Sequence, residues 1–164
     1  MSDFADERAV FETYFQNNWD ADPVTGFVVQ YENVKFTQPV DKTWVRFSIS
    51  ASNTKPASPG LMKVRTNGFV YLSIFIPKDL GTVDYKTITD KFAKIWDGIH
   101  LKMASGMAFF NTTSYKTLGD HNGFFMAEAV CMYRRDVDKV APTPGLDGGS
   151  FGASNSDNFD GGHF

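Results

Sequence analysis

The side chains that could carry out chemistry are few and lie far apart in this sequence. The three histidines, His100, His121 and His163, show no metal-ligand spacing with one another or with the single cysteine, Cys131. A protein zinc site needs three or four such ligands, usually in close pairs along the chain. Cys131 lies between apolar residues in a predicted strand, where a cysteine is typically a buried, unreactive side chain. These residues predict neither a metal site nor a catalytic thiol.

Three weaker patterns involve aspartate or asparagine. Asp20 and Asp22 resemble the start of a calcium loop, but the later glycine and the bidentate glutamate are missing. Asp157 and Asp160 lie among glycines without the nonapeptide repeat that binds calcium. Asn111 begins an Asn-Thr-Thr glycosylation acceptor, which has a meaning only in a secreted protein. Because phosphate-binding loops and nucleophile elbows are also missing from the sequence, we expect no enzymatic activity, no cofactor and no metal.

The composition is that of one ordinary domain. The chain has 164 residues and a mass of 18.3 kDa, which is enough for a single hydrophobic core. Its net charge of −3 leaves no basic excess for binding nucleic acid. No apolar run approaches the roughly 18 residues of a membrane span, and the acidic start of the chain is unlike a signal peptide. We therefore expect a soluble protein from a reducing compartment.

The negative charge is concentrated near the end of the chain. Residues 136–164 carry a net charge of −4, whereas residues 1–135 carry +1. The same segment holds six of the 14 glycines and few apolar side chains. Such a composition cannot bury enough surface to offset the entropy lost on ordering. We therefore divide the chain into one domain, residues 1–135, and an acidic Gly/Ser/Asp-rich extension, residues 136–164.

Two amphipathic helices are predicted from apolar residues at helical spacing. The first covers residues 2–19 and the second covers residues 84–97, with Gly98 as its C-terminal stop. The predicted apolar stripe of the first helix is Phe4, Phe11, Tyr14 and Phe15, and that of the second is Tyr85, Ile88, Phe92, Ile95 and Trp96.

Strands are predicted from alternation and from apolar runs. A short extended piece at 27–31 precedes a strand at 43–50, in which every second residue is apolar. The run at 69–76 is almost continuously apolar and predicts a central strand covered on both faces. Before it, the dipeptide Asn67-Gly68 is typical of either a hairpin turn or a glycine bulge.

Two further strands, at 106–118 and 123–134, are joined by the turn sequence GDHNG. The predicted fold class is therefore α+β. It has a mostly antiparallel sheet, two amphipathic helices on one face and an irregular C-terminal tail.

The connection at 52–63 is predicted to be a projecting loop. It contains two prolines and a glycine and is longer than most connections between strands. Long loops of this kind are often functional. We expect Leu61 and Met62 to be its apolar contact residues, flanked by Lys55 and Lys63.

The acidic extension carries three isolated aromatic residues, Phe151, Phe159 and Phe164. One interpretation is that they are anchors that insert into pockets of a neighbouring surface. In that case the aspartates would face water or basic side chains such as Arg134 and Arg135. The other interpretation is a solvated tail that only keeps free subunits apart.

Four stretches within residues 8–98 are similar in sequence and in order to those of a known family. They are RAVFETYFQNNW, VVQYENVKFTQP, WVRFSIS and GFVYLSIFIPKDLGTVDYKTITDKFAKIWDG. Together they resemble the phage tail-terminator family of long-tailed bacteriophages. The proline-rich connection at 52–63 is longer than in the family pattern, and the acidic extension has no counterpart there.

The resemblance implies a structural role rather than an enzymatic one. Proteins of this family form a ring, typically a hexamer, that caps the head-proximal end of the tail tube and stops its polymerisation. The implied partners are further copies of the chain, the tail tube protein and the head-tail connector protein. Genomic DNA would pass through the ring without sequence-specific binding, and no membrane is involved. The implied location is the neck and tail of the virion, after assembly in the host cytoplasm.

Two other interpretations stay open from sequence. The chain is a different tail or connector component, such as a tube or adaptor subunit with a similar α+β fold. Alternatively, it is a small-molecule-binding or enzymatic α+β domain. A monomer in native mass spectrometry would argue against a ring, and tail length in particles lacking the protein would separate a terminator from a tube subunit.

Overall fold

The computed structural model describes residues 3–20, 27–57, 63–81 and 83–138. In chain order, its helices and strands are α1 (Asp3–Asp20), β1 (Val28–Tyr31), β2 (Trp44–Pro56), β3 (Lys63–Pro77), α2 (Val83–Trp96), β4 (His100–Met103), β5 (Gly106–Phe110), β6 (Ser114–His121) and β7 (Phe124–Asp138). A short 3-10 turn, Lys78–Leu80, lies between β3 and α2.

The seven strands form one mixed sheet. Their order is β1-β2-β3-β7-β5-β4, and β6 also pairs with β7. β1 runs parallel to β2, while the other described pairs are antiparallel. β3 lies along the whole of one edge of β7, and β6 and β5 share the other edge. The α+β prediction is confirmed in its coarse form, a strand-rich chain with two helices, and the sheet is mixed.

Both helices pack against the same face of the sheet, which we call the inner face. Trp96 of α2 is fully buried there, with its ring centre 4.5 Å from that of Phe110. Phe15 of α1 stacks on Phe47 of β2 at 4.2 Å. Aromatic pairs of this kind stabilise a core by about 0.5–1.5 kcal/mol beyond their buried area. The residues that the helices bury in this core are Phe11, Phe15, Trp19, Ile88, Phe92, Ile95 and Trp96.

The buried stripe of α1 differs from the predicted one at its start. Phe4 is 53% exposed, and Glu7 is buried in line with Phe11 and Phe15. Residues four apart lie on one face of a helix, so Glu7, which was not among the predicted stripe residues, points into the core. Phe4 instead lies beside the guanidinium of Arg135, whose carbon is 5.8 Å from the ring centre.

The predicted loop at 52–63 is wrong over most of its length. β2 continues to Pro56 and β3 begins at Lys63, so the ends of the two strands pair as a long hairpin arm. The connection between them is therefore only residues 57–62. Residues 51–57 are all exposed. Because neither side of the arm is buried at this end, the sequence has no apolar alternation there that could signal a strand.

The dipeptide Asn67-Gly68 is neither a turn nor the bulged residue. Both residues belong to β3 and pair with residues of β2. The bulge is on β2, at Ser52, where the register shifts between Ala51 and Asn53. A Cβ atom on Gly68 would lie 2.5 Å from the Tyr133 ring and 2.6 Å from the Ser50 carbonyl oxygen. The glycine therefore permits the close approach of a buried tyrosine from β7.

The second half of the sheet also differs from prediction. The predicted strand at 106–118 is two strands, β5 and β6. Residues 111–113 separate them, and the two strands pair with different parts of β7. The short β4 was missed. β7 extends to Asp138, past the expected end at Arg134 and past the proposed domain boundary. The predicted turn is present: Asn122 and Gly123 both have positive φ, as a tight two-residue hairpin requires.

Candidate assembly surface

The opposite face of the sheet, which we call the outer face, carries neither helix. Along β3 and β7, side chains alternate between the two faces, and the outer-face residues pair across the strands. The prediction that 69–76 is covered on both faces is wrong for its first part, since Phe69 and Tyr71 are only half-buried. The outer face therefore offers apolar surface to a partner.

An apolar stripe crosses the middle of this face and consists of Phe69, Tyr71, Val130 and Met132. Phe69 pairs with Met132, and Tyr71 pairs with Val130. The two aromatic ring centres lie 5.8 Å apart, and Met132 is 40% exposed. None of the four belongs to a described hydrophobic cluster. Contiguous exposed apolar surface on a folded domain is typical of an interaction site.

A second feature of the outer face is an aromatic cleft of about 330 Å³ near the start of β7. Its floor is Trp44 stacked on Phe75, with ring centres 3.9 Å apart and planes at 4°. Phe124 meets both rings edge-on. The polar lining residues are Gln30, Gln38, Arg46, His121 and Asn122.

The cleft contains hydrogen-bond donors that the described residues leave unused. Trp44 is 4% exposed, and its indole N–H has no hydrogen-bond partner in the described part of the chain. Arg46 is exposed, its guanidinium carbon lies 5.6 Å from the centre of the Phe75 ring, and no described carboxylate forms an ion pair with it. The cleft can therefore accept a group that carries a negative charge and a hydrogen-bond acceptor.

At the far end of the outer face the charges are paired. Arg65 donates two hydrogen bonds to Asp136, at 2.7 and 3.0 Å, and this contact lowers the pKa of the Asp136 carboxyl group. Lys63 forms an ion pair with Asp138 at 3.4 Å. Arg134 lies 3.6 Å from Asp136, with its guanidinium carbon 5.0 Å from the centre of the Phe109 ring. These contacts fasten the base of the hairpin arm to β7.

Of the residues predicted to form the contact surface, only the two lysines lie within the described part of the chain. Lys55 is exposed near the end of β2, and Lys63 begins β3 in its ion pair. Leu61 and Met62 lie outside the described residues, as do Phe151, Phe159 and Phe164.

Arg135, named above as a surface partner for the aspartates, is instead buried. It is 1% exposed, and its Nη1 donates to Oε2 of Glu7 at 2.9 Å. The Tyr133 hydroxyl donates to Oε1 of the same carboxylate at 2.6 Å. Burial, followed by this hydrogen bond, raises the pKa of Tyr133. The cluster of Glu7, Tyr133 and Arg135 joins α1 to β7, so that only Arg134 of the two neighbouring arginines lies on the outer face.

Residues with catalytic potential are dispersed in the described part of the chain. It contains no group of three or more His, Cys, Asp or Glu side chains placed to hold a metal ion. Cys131 is buried, its Sγ donates to the Asn111 carbonyl oxygen at 3.1 Å, and burial raises the pKa of its thiol to about 11. A thiol with that pKa is a poor nucleophile near neutral pH. None of the described helices is long and apolar enough to span a membrane.

Sequence analysis missed the stripe and the cleft, although one signal for them exists. In the apolar run of β3, the outer-face residues Phe69, Tyr71 and Phe75 are aromatic, while the inner-face residues between them are aliphatic. The prediction of a strand buried on both faces took no account of this alternation of aromatic and aliphatic residues. Arg46 lies beside this run only through the pairing of β2 with β3, and Gln30 lies beside Arg46 only through the pairing of β1 with β2.

Both the sequence and the fold of this chain are similar to known proteins. A family model described as phage tail terminator protein matches residues 8–123. A solved structure that is 15% identical in sequence superimposes with a TM-score of 0.66, covering 87% of this chain and 99% of its own. At that identity the likeness concerns the fold alone. No curated protein matches the sequence. Since the matched residues run from α1 to the turn before β7, this chain belongs to the phage tail terminator family, whose members are structural components of phage tails.

Proposed function

We propose that this chain is the tail terminator of a long-tailed phage. In this role a ring of its subunits, typically six, caps the head-proximal end of the tail tube, stops tube polymerisation and joins the tail to the head connector. The observation that carries the proposal is the family match across residues 8–123, which contain most of α1, all of α2 and six of the seven strands.

The described surface supports a ring in a second way. A closed ring with head-to-tail contacts needs two different patches on each subunit. The outer face offers the apolar stripe and the aromatic cleft. On the opposite side of the domain, α1 presents a shallow, mainly apolar depression lined by Ala9, Val10, Thr13, Tyr14 and Asn17. The chain thus has two distinct surfaces of the kind that heterologous assembly requires.

The decisive experiment is to examine phage particles that lack the protein. A terminator that is absent should leave tail tubes of uncontrolled length with no attached heads, since nothing ends polymerisation. A tube subunit that is absent should leave no tails, which would contradict the proposal. In parallel, native mass spectrometry of the purified full chain should show a closed oligomer, with a hexamer expected. A monomer at every concentration tested would also contradict it.

The end of the hairpin arm is proposed to contact the tail tube ring or an adjacent subunit. Replacing Leu61 and Met62 with serine should impair assembly of tails of defined length, because apolar contact is lost at the end of an exposed arm. The circular dichroism spectrum should not change, since residues 51–57 of the arm contribute no side chain to the core. A matched control is Thr87→Ser on the exposed side of α2. If tails form normally with both serines present, the connection is only a spacer.

The acidic extension is proposed to bind a neighbouring subunit as a strap, with Phe151, Phe159 and Phe164 as anchors. Its residues beyond β7, 139–164, lie outside the described part of the chain. Ordering so many residues costs roughly 1 kcal/mol or more each, so the strap requires extensive contacts on its partner.

A further inference from the structure

We infer that the outer face is the surface that receives this strap from the neighbouring subunit. The segment that binds is residues 139–164, which we call the distal segment. Phe159 occupies the aromatic cleft and Phe151 lies on the apolar stripe. The inference rests on the proposed ring, and it specifies the contact that the ring subunits make through the acidic extension.

The chemistry of the cleft matches the sequence around Phe159. Residues 157–160 read Asp-Asn-Phe-Asp, so the aromatic ring has a carboxylate on each side. The cleft provides a volume of about 330 Å³ for the ring, above the nearly buried Trp44 and Phe75, and the guanidinium of Arg46 for a carboxylate. The buried indole N–H of Trp44 is a further donor that needs an acceptor. Each unsatisfied group of the cleft has a counterpart in this tetrapeptide.

The spacing of the two anchors matches the spacing of the two sites. The centre of the stripe and the edge of the cleft lie about six residues apart along β7, which is ~20 Å at the rise of an antiparallel strand. Phe151 and Phe159 are eight residues apart in the sequence, and an extended chain covers up to ~26–29 Å over that distance. The distal segment can therefore place one ring on each site without being fully stretched.

At its end, β7 points away from its own cleft. β7 begins beside the cleft at Phe124 and ends at Asp138, at the other end of the sheet. To reach its own cleft, the chain would have to turn back after Asp138 and run along β7 as far as Phe124. Pro142 and Pro144 instead favour an extended course after β7. The 21 residues from Asp138 to Phe159 reach up to ~70–75 Å when extended, enough to cross a domain of this size.

Site-specific cross-linking in the full chain tests the inference. A photoreactive benzoylphenylalanine replaces Phe159, and isotopically heavy and light subunits are mixed, assembled and irradiated. We expect cross-linked peptides that join position 159 of one label to cleft residues of the other label, such as Trp44 or Phe124. The same group at Ser154, between the two anchors, should give no cross-links in the cleft.

A charge exchange provides a second measurement. Arg46→Glu should reduce the heavy–light cross-link yield at least about fivefold, because the carboxylates of the distal segment would meet a like charge. Asp160→Arg in the same chain should restore most of the yield. Lys42→Glu, which changes an exposed lysine before β2 to the same acidic residue, should leave the yield unchanged.

The outcomes separate this inference from the proposed ring. Absence of any oligomer in native mass spectrometry would contradict both. An oligomer whose cross-links at position 159 join only equal labels, or avoid the cleft, would overturn the inference and leave the ring intact. Equal yields for the wild-type chain and Arg46→Glu would also overturn it.

Discussion

Replacing Glu7 with leucine should lower the free energy of unfolding by about 3–5 kcal/mol, the usual cost of removing one partner from a buried ion pair. Glu7 is 3% exposed and accepts hydrogen bonds from both Tyr133 and Arg135. Without its carboxylate, the guanidinium of Arg135 would stay in the core without the counter-charge of Glu7. Leucine fills a similar volume, so the loss would reflect electrostatics and hydrogen bonding more than a cavity.

Urea unfolding followed by tryptophan fluorescence measures this loss, because all three tryptophans are buried. Glu12→Leu is the matched control on the same helix. Its ion pair with Arg8, at 2.8 Å, is partly exposed, and such pairs contribute at most ~1 kcal/mol. The double variant Glu7→Leu/Arg135→Met should recover most of the stability, since it removes both buried charges. If Glu7→Leu and Glu12→Leu lose equal stability, the buried cluster does not hold α1 on the sheet.

Local patterns in the sequence were sufficient to predict both helices and the centres of the main strands. Ile88, Phe92, Ile95 and Trp96 recur at helical spacing and are buried as expected. Gly98, the predicted stop of α2, has a positive φ. In β2, Val45 and Phe47 are buried while Arg46 between them is exposed. In these elements one side faces the core and the other faces water, so apolar residues recur in the sequence with the period of the helix or strand.

The features that sequence analysis missed depend on contacts between distant parts of the chain. Glu7 and Arg135 are 128 positions apart, and neither residue type indicates burial by itself. Residues 106–118 are divided into β5 and β6 because the two strands pair with different halves of β7. The exposed arm of β2 and β3 has no buried side that would give an apolar alternation in the sequence. The aromatic cleft likewise forms only when β2, β3 and β7 become neighbours. By contrast, the family resemblance needed no such contacts, because it rests on contiguous stretches of sequence.

Replacing Met132 with glutamate should weaken ring assembly at least tenfold while leaving the fold intact. Met132 lies at the centre of the apolar stripe, paired with Phe69, and is 40% exposed. In the free subunit the new carboxylate can therefore reach water at little cost. In an assembled ring that covers the stripe, the carboxylate would be buried without a partner. Such burial typically costs an interface 2–5 kcal/mol, and each ~1.4 kcal/mol is a factor of ten in affinity.

Native mass spectrometry over a range of concentrations measures this shift, with urea unfolding as the check on the fold. Thr87→Glu, which adds the same charge to the exposed side of α2 across the sheet, should assemble normally. Truncation after Asp138 should weaken assembly in the same direction, because it removes the segment proposed to lie on the stripe. If truncation has no effect while Met132→Glu disrupts the ring, the stripe contacts the neighbouring domain itself rather than its acidic extension. If neither change alters assembly, the outer face is not part of the ring interface.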